Sequence, residues 1–83
     1  MAYLTITRHA RGRMRLYGIT AKHVETIIQE PDSTPELVGR RYHITKAFEG
    51  EFKGMPIKVI YVLERDYTVV VLSAYPLKRS YRR

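Results

Sequence analysis

Two β-branched runs joined by a short turn set the strongest limit on how this chain folds. IKVIYVLE, residues 57–64, and TVVVLSAY, residues 68–75, flank the pair Arg65 and Asp66. The spacing predicts an antiparallel hairpin, and Pro76 is expected to end its second strand. Because VVVL is almost entirely apolar, we expect the last strand to lie in the interior of a sheet.

The first half of the chain predicts one strand and the first of two helices. YLTIT, residues 3–7, alternates and is β-branched, as in a short strand. Residues 8–17 follow with helical periodicity, and Gly18 is expected to end this helix as a left-handed C-cap. The apolar stripe expected to cover the sheet is Ala10, Met14 and Tyr17.

A second helix and a further strand follow. Thr20 is expected to cap a helix over residues 21–30, and Pro31 and Asp32 end it. VGRRYHITKAF, residues 38–48, predicts one strand. The apolar stripe of the second helix is Ala21, Val24, Ile27 and Ile28.

These elements together predict a single α+β domain over residues 1–83, in the order β-α-α-β-β-β. Two short helices would pack on one face of a small twisted, mostly antiparallel sheet. A chain of 83 residues buries roughly two thirds of its surface, enough for one core. The chain has no cysteine, no secretory signal and no run near the ~20 apolar residues of a membrane span, so we expect a cytoplasmic protein without a membrane partner.

The charge is basic and uneven. Fifteen Lys and Arg against eight Asp and Glu give a net charge of +7. The first 23 residues and the last eight contain no acid, and arginine, which binds phosphate in a planar, bidentate way, supplies most of the cations. A polyanion such as RNA is the expected partner, and a solvated basic surface is the alternative. The candidate phosphate contacts are Arg8, Arg11, Arg13, Arg15, Arg40, Arg41, Lys78, Arg79, Arg82 and Arg83.

Period-two alternation divides the strands between two faces of the sheet. The set expected beneath the helices is Tyr42, Ile44, Ile60, Val62, Val70, Leu72 and Ala74. The opposite set is Arg41, His43, Thr45, Val59, Tyr61, Val71, Ser73 and Tyr75. The strand 57–64 is apolar on both sides, so its register could slip by one residue.

The opposite set contains the residue types that cut RNA without a metal ion. A base takes the proton of the 2′-hydroxyl, an acid protonates the leaving 5′-oxygen, and cations hold the phosphorane charge. His43 is the candidate proton carrier, with Tyr75 for proton transfer or stacking, and Arg41, Lys78 and Arg79 for the charge. Tyr61 and Tyr81 are candidates for base stacking. The alternative is that the tyrosines are core or dimer contacts.

Other kinds of site find little support in the sequence. The three histidines lack metal-ligand spacing, and no motif for nucleophilic catalysis, nucleotide hydrolysis or a dinucleotide cofactor is present, so we expect neither metal nor cofactor. His9 and Arg13, four residues apart, are either a phosphate contact at the sheet edge or a structural pair. His23 is expected to be an ordinary surface histidine.

TRHARGRMRLYGITAKHVETIIQEPD and GMPIKVIYVLERDYTVVVLSAYP resemble an uncharacterised family, domain of unknown function four-two-five-eight, over residues 6–76. That family is similar in layout to the RelE/ParE/BrnT toxins. The resemblance implies catalytic groups on the open sheet face and after the last strand, RNA or the ribosome as target, and an antitoxin partner. Tyr75 stands where the closing Ile-Ser-Ala-Arg of the BrnT type has its Arg, and Lys78 and Arg79 would compensate for it.

These observations leave three interpretations open. The first is a toxin-like RNA-binding protein acting as a metal-independent ribonuclease. The second is a non-catalytic module that binds nucleic acid or a protein through the same face. The third is a small structural domain whose basic charge reflects its host. The sequence assigns no oligomeric state.

Overall fold

Residues 4–77, the part of the chain that this computed structural model describes, fold as two helices packed with one five-stranded sheet. The predicted α+β architecture, with helices ahead of a mostly antiparallel sheet, is confirmed. The elements are β1 (Leu4–Ile6), α1 (Arg8–Tyr17), α2 (Ala21–Gln29), β2 (Glu36–Val38), β3 (Arg41–Lys46), β4 (Ile57–Leu63) and β5 (Val69–Pro76).

The strands lie in the order β1-β5-β4-β3-β2. β1 pairs with β5 in parallel, with Leu4 opposite Val69, and the other neighbours are antiparallel. The predicted hairpin of β4 and β5 is present, and β5 lies between two strands as expected. Its connection is a short 3-10 turn, Arg65–Tyr67, closed by a hydrogen bond of 2.8 Å from the amide of Glu64 to the carbonyl of Thr68.

The strand predicted over residues 38–48 is confirmed over Arg41–Lys46, but the prediction begins too early, because the chain reverses at Gly39 and Arg40. Gly39 has a φ of 65°, which a glycine adopts without strain. Val38 pairs with Arg41 across this turn, so residues 36–46 form a hairpin rather than one strand. The reversal adds β2, whose three residues are exposed, at the edge of the sheet.

The helix boundaries follow the expected caps. The Thr7 hydroxyl accepts the amide of Ala10 at the start of α1, and Gly18, with a φ of 72°, ends that helix. Thr20 caps α2 as predicted. Ala10 and Met14 of α1 are buried with Val24 and Ile27 of α2 in one cluster beneath the sheet. Tyr17, which was expected in the apolar stripe of α1, is instead 40% exposed.

His23 is not an ordinary surface histidine. Its Nδ1 accepts the backbone amide of Thr20 at 3.0 Å, while its amide donates to the Thr20 hydroxyl at 3.1 Å. Its Nε2 lies 2.8 Å from a carboxylate oxygen of Glu51. The ring also meets Phe48 and Phe52 edge-on, with centroids 4.9 and 5.0 Å away. His23 therefore caps α2 and fastens the loop between β3 and β4 to it.

Replacing His23 with alanine should lower the stability of the domain by about 1–2 kcal/mol, because a helix cap and a loop contact are lost together. For a domain of this size, that corresponds to a fall in Tm of roughly 4–16 °C in a thermal melt followed by circular dichroism. His9→Ala is the matched control, since His9 is exposed on α1. Equal melting temperatures for the two variants would contradict the capping role.

Candidate nucleic-acid interface

We name the face of the sheet opposite the helices the open face. It carries a group of polar and cationic side chains. Ile44, Val59 and Ala74, one from each of β3, β4 and β5, are buried against the helices. Their neighbours in the strands must therefore point the other way. On β3, β4 and β5, the polar members of the open face are Arg41, His43, Thr45, Lys58, Ser73 and Tyr75.

Strand pairing places these side chains in two adjacent rows. His43 lies opposite Ile60, which lies opposite Ser73. One row further, Lys58 stands between Thr45 and Tyr75. Lys58 and Tyr75 are directly paired, which brings their Cβ atoms to about 4.5–5.5 Å, and His43 is a diagonal neighbour of Lys58 at about 7–8 Å. The imidazole and the phenol therefore flank the ammonium on this part of the sheet.

The electrostatic surroundings of His43 favour its neutral form. Partial burial lowers the pKa of His43 below its ordinary 6.5, and the nearby Lys58 ammonium lowers it further. Glu36, opposite His43 on β2, raises this pKa, and Arg41 lowers it again. A neutral imidazole beside cations can take a proton at neutral pH, as a general base must.

The prediction that Tyr61 shares this face is wrong. Tyr61 lies opposite Tyr42, on the same side of the sheet as Ile44, and packs against the buried core. The rings of Tyr42 and Tyr61 stack with centroids 5.3 Å apart and an interplanar angle of 17°. Burial, and the neighbouring Tyr42, raise the pKa of Tyr61. Tyr61 is therefore a packing residue that cannot stack bases on the open face.

Two causes produce the error in the predicted faces. β4 has the other phase, so that Ile57 and Val59 are buried instead of Ile60 and Val62. In β5 a bulge places Leu72 between the residues paired with Ile60 and Tyr61. The bulge buries Val69, Val71 and Ala74, so the expected burial of Val70 and Leu72 is wrong, as is the open-face placement of Val59 and Val71.

The open face also holds two charged residues that sequence reasoning missed. Lys58 is not among the predicted site residues, because the apolar pattern of β4 predicts a phase that differs by one residue. Glu36 is in no predicted strand, because the prediction lacks the turn at Gly39. The alternation Ile57-Lys58-Val59, with apolar residues on both sides of a lysine, is the signal that indicates the correct phase of β4.

Arg13 reaches this region from α1. The carbon at the centre of its guanidinium lies 5.1 Å from the ring centroid of Tyr75 and 5.8 Å from that of Tyr17. Its Nε is buried and has no hydrogen-bond partner among residues 4–77. The side chain as a whole keeps part of its surface exposed. Arg13 thus adds a cation beside Tyr75, at the edge of the open face.

The remaining predicted contacts are dispersed or outside the described residues. Arg8, Arg11 and Arg15 are exposed along α1, and Arg40 is exposed in the turn before β3. The charges that act on His43 come instead from Lys58, Glu36 and Arg41. The candidates that lie outside residues 4–77 are Lys78, Arg79, Tyr81, Arg82 and Arg83.

Two further features of the described chain concern ligands and membranes. Within residues 4–77, no three His, Cys, Asp or Glu side chains gather where they could hold a metal ion. Neither helix of this part of the chain is long and apolar enough to cross a membrane.

Comparison with known proteins adds no relative. No protein-family model, no curated protein and no solved structure matches the chain. A function for the open face must therefore be argued from its own residues.

Proposed function

We propose that this protein binds single-stranded RNA on the open face of its sheet and cleaves it there, with His43 as the proton carrier. The observation that carries the proposal is the position of His43, next to Arg41 on its own strand and near Lys58 on β4. An imidazole whose pKa is lowered by burial and by nearby cations is suited to a reaction in which a proton leaves and negative charge gathers on phosphorus.

The cleavage step uses each of these groups once. His43 takes the proton of a 2′-hydroxyl, and the 2′-oxygen attacks the adjacent phosphorus. The bond from phosphorus to the 5′-oxygen breaks, and the Tyr75 hydroxyl gives its proton to that leaving oxygen. Arg41 and Lys58 hold the added negative charge. The products are a 2′,3′-cyclic phosphate and a free 5′-hydroxyl, and no metal ion enters the step.

The biological setting in this proposal comes from the resemblance in the sequence. A toxin-like ribonuclease would act on RNA, free or within the ribosome, and an acidic antitoxin would hold it inactive. The net charge of +7 suits both an RNA and an acidic partner. Incubating the pure protein with naked RNA and with ribosomes, in EDTA, and mapping the cut ends tests the activity.

Binding without cleavage is the second candidate function. It is favoured by the position of Tyr61, which removes one of the two tyrosines expected beside His43 and leaves Tyr75 as the tyrosine of the open face within residues 4–77. In that case Arg41, Lys58 and Tyr75 hold a strand of RNA that stays intact.

RNA affinity should fall linearly with salt concentration on a log–log plot. With about four to six phosphate contacts on a single strand, the slope should be roughly −3 to −4, because each contact releases counterions. Fluorescence anisotropy of a labelled oligouridylate measures this slope over a range of about 50 to 200 mM salt, in which the screening length stays on the order of 10 Å.

The double variant Arg41→Gln, Lys58→Gln should make this slope shallower by about 1.4. The control, Lys22→Gln, Arg65→Gln, removes the same charge from exposed positions of α2 and of the β4–β5 turn that are not candidate phosphate contacts, and should leave the slope almost unchanged. Equal slopes for the two double variants, or no binding of the wild type at the lowest salt, would refute the open face as the RNA surface.

A further inference from the structure

We infer that Arg13, held against the rings of Tyr17 and Tyr75, binds a phosphodiester group of the RNA strand beside the one that is cut. This inference rests on the proposed function, since it extends the same site by one nucleotide. It also gives α1, which otherwise packs on the sheet, a part in ligand binding.

Arg13 has no carboxylate partner within the described chain. The ion pairs among residues 4–77 are His23 with Glu51 and Lys46 with Asp32. An arginine that is partly buried normally pairs its charge and satisfies its N–H groups. The charge of Arg13 is therefore not neutralised by an ion pair among the described residues, and we assign it to an anionic ligand.

The two tyrosines fix the orientation of the guanidinium. Tyr17 lies one helical turn after Arg13 on α1, and Tyr75 comes from β5 at the edge of the sheet. Contact with two aromatic rings favours a planar guanidinium over an ammonium, because the plane can stack on a ring. Nε itself is buried, so the exposed surface of this side chain belongs to its other atoms. A planar, preorganised guanidinium is the group that binds phosphate by two parallel hydrogen bonds.

Tyr75 joins Arg13 to the rest of the open face. It pairs with Lys58 across the β4–β5 ladder, and Arg13 lies over its ring from the side of α1. Tyr75 therefore separates two cations, Lys58 beside His43 and Arg13 at the edge. Successive phosphates of an extended strand can lie on these two cations, while the tyrosine between them offers a ring for a base.

A binding assay with three variants tests the inference. Arg13→Gln should reduce affinity for a labelled oligouridylate about tenfold or more, because a charged hydrogen-bonding group is lost, and should reduce the salt slope by about 0.7. Arg65→Gln is the matched control, since Arg65 is exposed in the turn between β4 and β5, is not a candidate phosphate contact and should change neither quantity. Tyr17→Leu keeps an apolar side chain and should weaken binding while leaving the slope unchanged.

A merely structural Arg13 predicts other results. In that case Arg13→Gln would lower Tm, and the folded fraction would bind RNA with the slope of the wild type. That outcome overturns the inference and leaves the proposed function standing. If the wild type does not bind RNA, both the inference and the proposed function are overturned. A thermal melt of each variant checks that the proteins compared are folded.

The shift of the Arg13 Nε–H resonance distinguishes the source of the anion. A strand of RNA should move it, and inorganic pyrophosphate should move it at higher concentration. Movement with pyrophosphate and none with RNA would mean that the anion is a small one, and this would overturn the assignment to a phosphodiester strand.

Discussion

Replacing Met14 with aspartate should leave the domain unfolded at 25 °C. Met14 is 6% exposed and packs in the cluster that joins α1 to the sheet. An unpaired carboxylate there costs several kcal/mol, against a total stability of about 4–12 kcal/mol for a chain of this length. Circular dichroism should show no cooperative melt, while Met14→Leu, which keeps the volume, should cost less than about 1.5 kcal/mol.

Arg11→Asp is the control for this prediction. Arg11 lies on the exposed side of the same helix, and the substitution changes the net charge by more than Met14→Asp does. A normal melt for Arg11→Asp together with none for Met14→Asp would therefore assign the effect to burial and not to charge. Equal melting temperatures would mean that α1 presents a different side to the sheet.

The helices could be predicted from the sequence because their signals are local. Thr20 and Gly18 mark helix ends through hydrogen bonds and a left-handed φ that depend on a few neighbouring residues. The burial of Met14 follows from periodicity over one helix. Tyr17 fits the same periodicity but is the last residue of α1, where its ring contacts the Arg13 guanidinium and stays partly exposed.

The phase of the last two strands is only weakly marked in the sequence, because Lys58 is the one charged residue of β4 and the remaining positions are apolar on both sides. Ile60 and Val62 match the core pattern as well as Ile57 and Val59 do, and the three valines of residues 69–71 give no alternation. Pairing between the strands, and the bulge at Leu72, decide the phase. A bulge is a property of two strands together and leaves no mark in either one alone.

The candidate site could be predicted in part, for the same reason. β3 alternates polar and apolar residues, so Arg41 and His43 were placed on the face that they occupy. Lys58 depends on the phase of β4, and Glu36 depends on the turn at Gly39. The i, i+4 spacing of Arg13 and Tyr17 is visible in the sequence, but their common partner Tyr75 comes from the other end of the chain.

Replacing His43 with alanine should reduce RNA cleavage by about 10²–10⁴ while leaving RNA affinity within a few fold, because the imidazole moves a proton and the cations bind the phosphate. Mapping of cut ends in EDTA measures the rate, and anisotropy measures the affinity. His9→Ala is the control, since His9 is an exposed histidine on α1. If the wild type leaves RNA intact, or His43→Ala cuts it normally, cleavage by His43 is refuted and binding alone remains.

The assignment of His43 as the base also predicts in which direction the cleavage rate changes with pH. The pKa of His43 lies below 6.5, and the imidazole is neutral and active as a base above that lowered value. On the acid side, the rate should therefore fall as the pH drops through the pKa of His43. Lys58→Met removes a cation that lowers this pKa, and should move the inflection upward, toward 6.5. Glu36→Gln removes the anion that raises it, and should move the inflection downward.

These opposite shifts can also be read without any reaction, from the ring resonances of His43 in an NMR titration of the free protein. Agreement between the resonance titration and the pH–rate profile in both variants would identify His43 as the group whose neutral form the reaction needs. A rate profile that ignores both substitutions while the resonances follow them would place the proton transfer on another residue. Lys58→Met should also slow cleavage at every pH, because it removes a cation that holds the phosphorane charge, whereas Glu36→Gln should change only the position of the inflection.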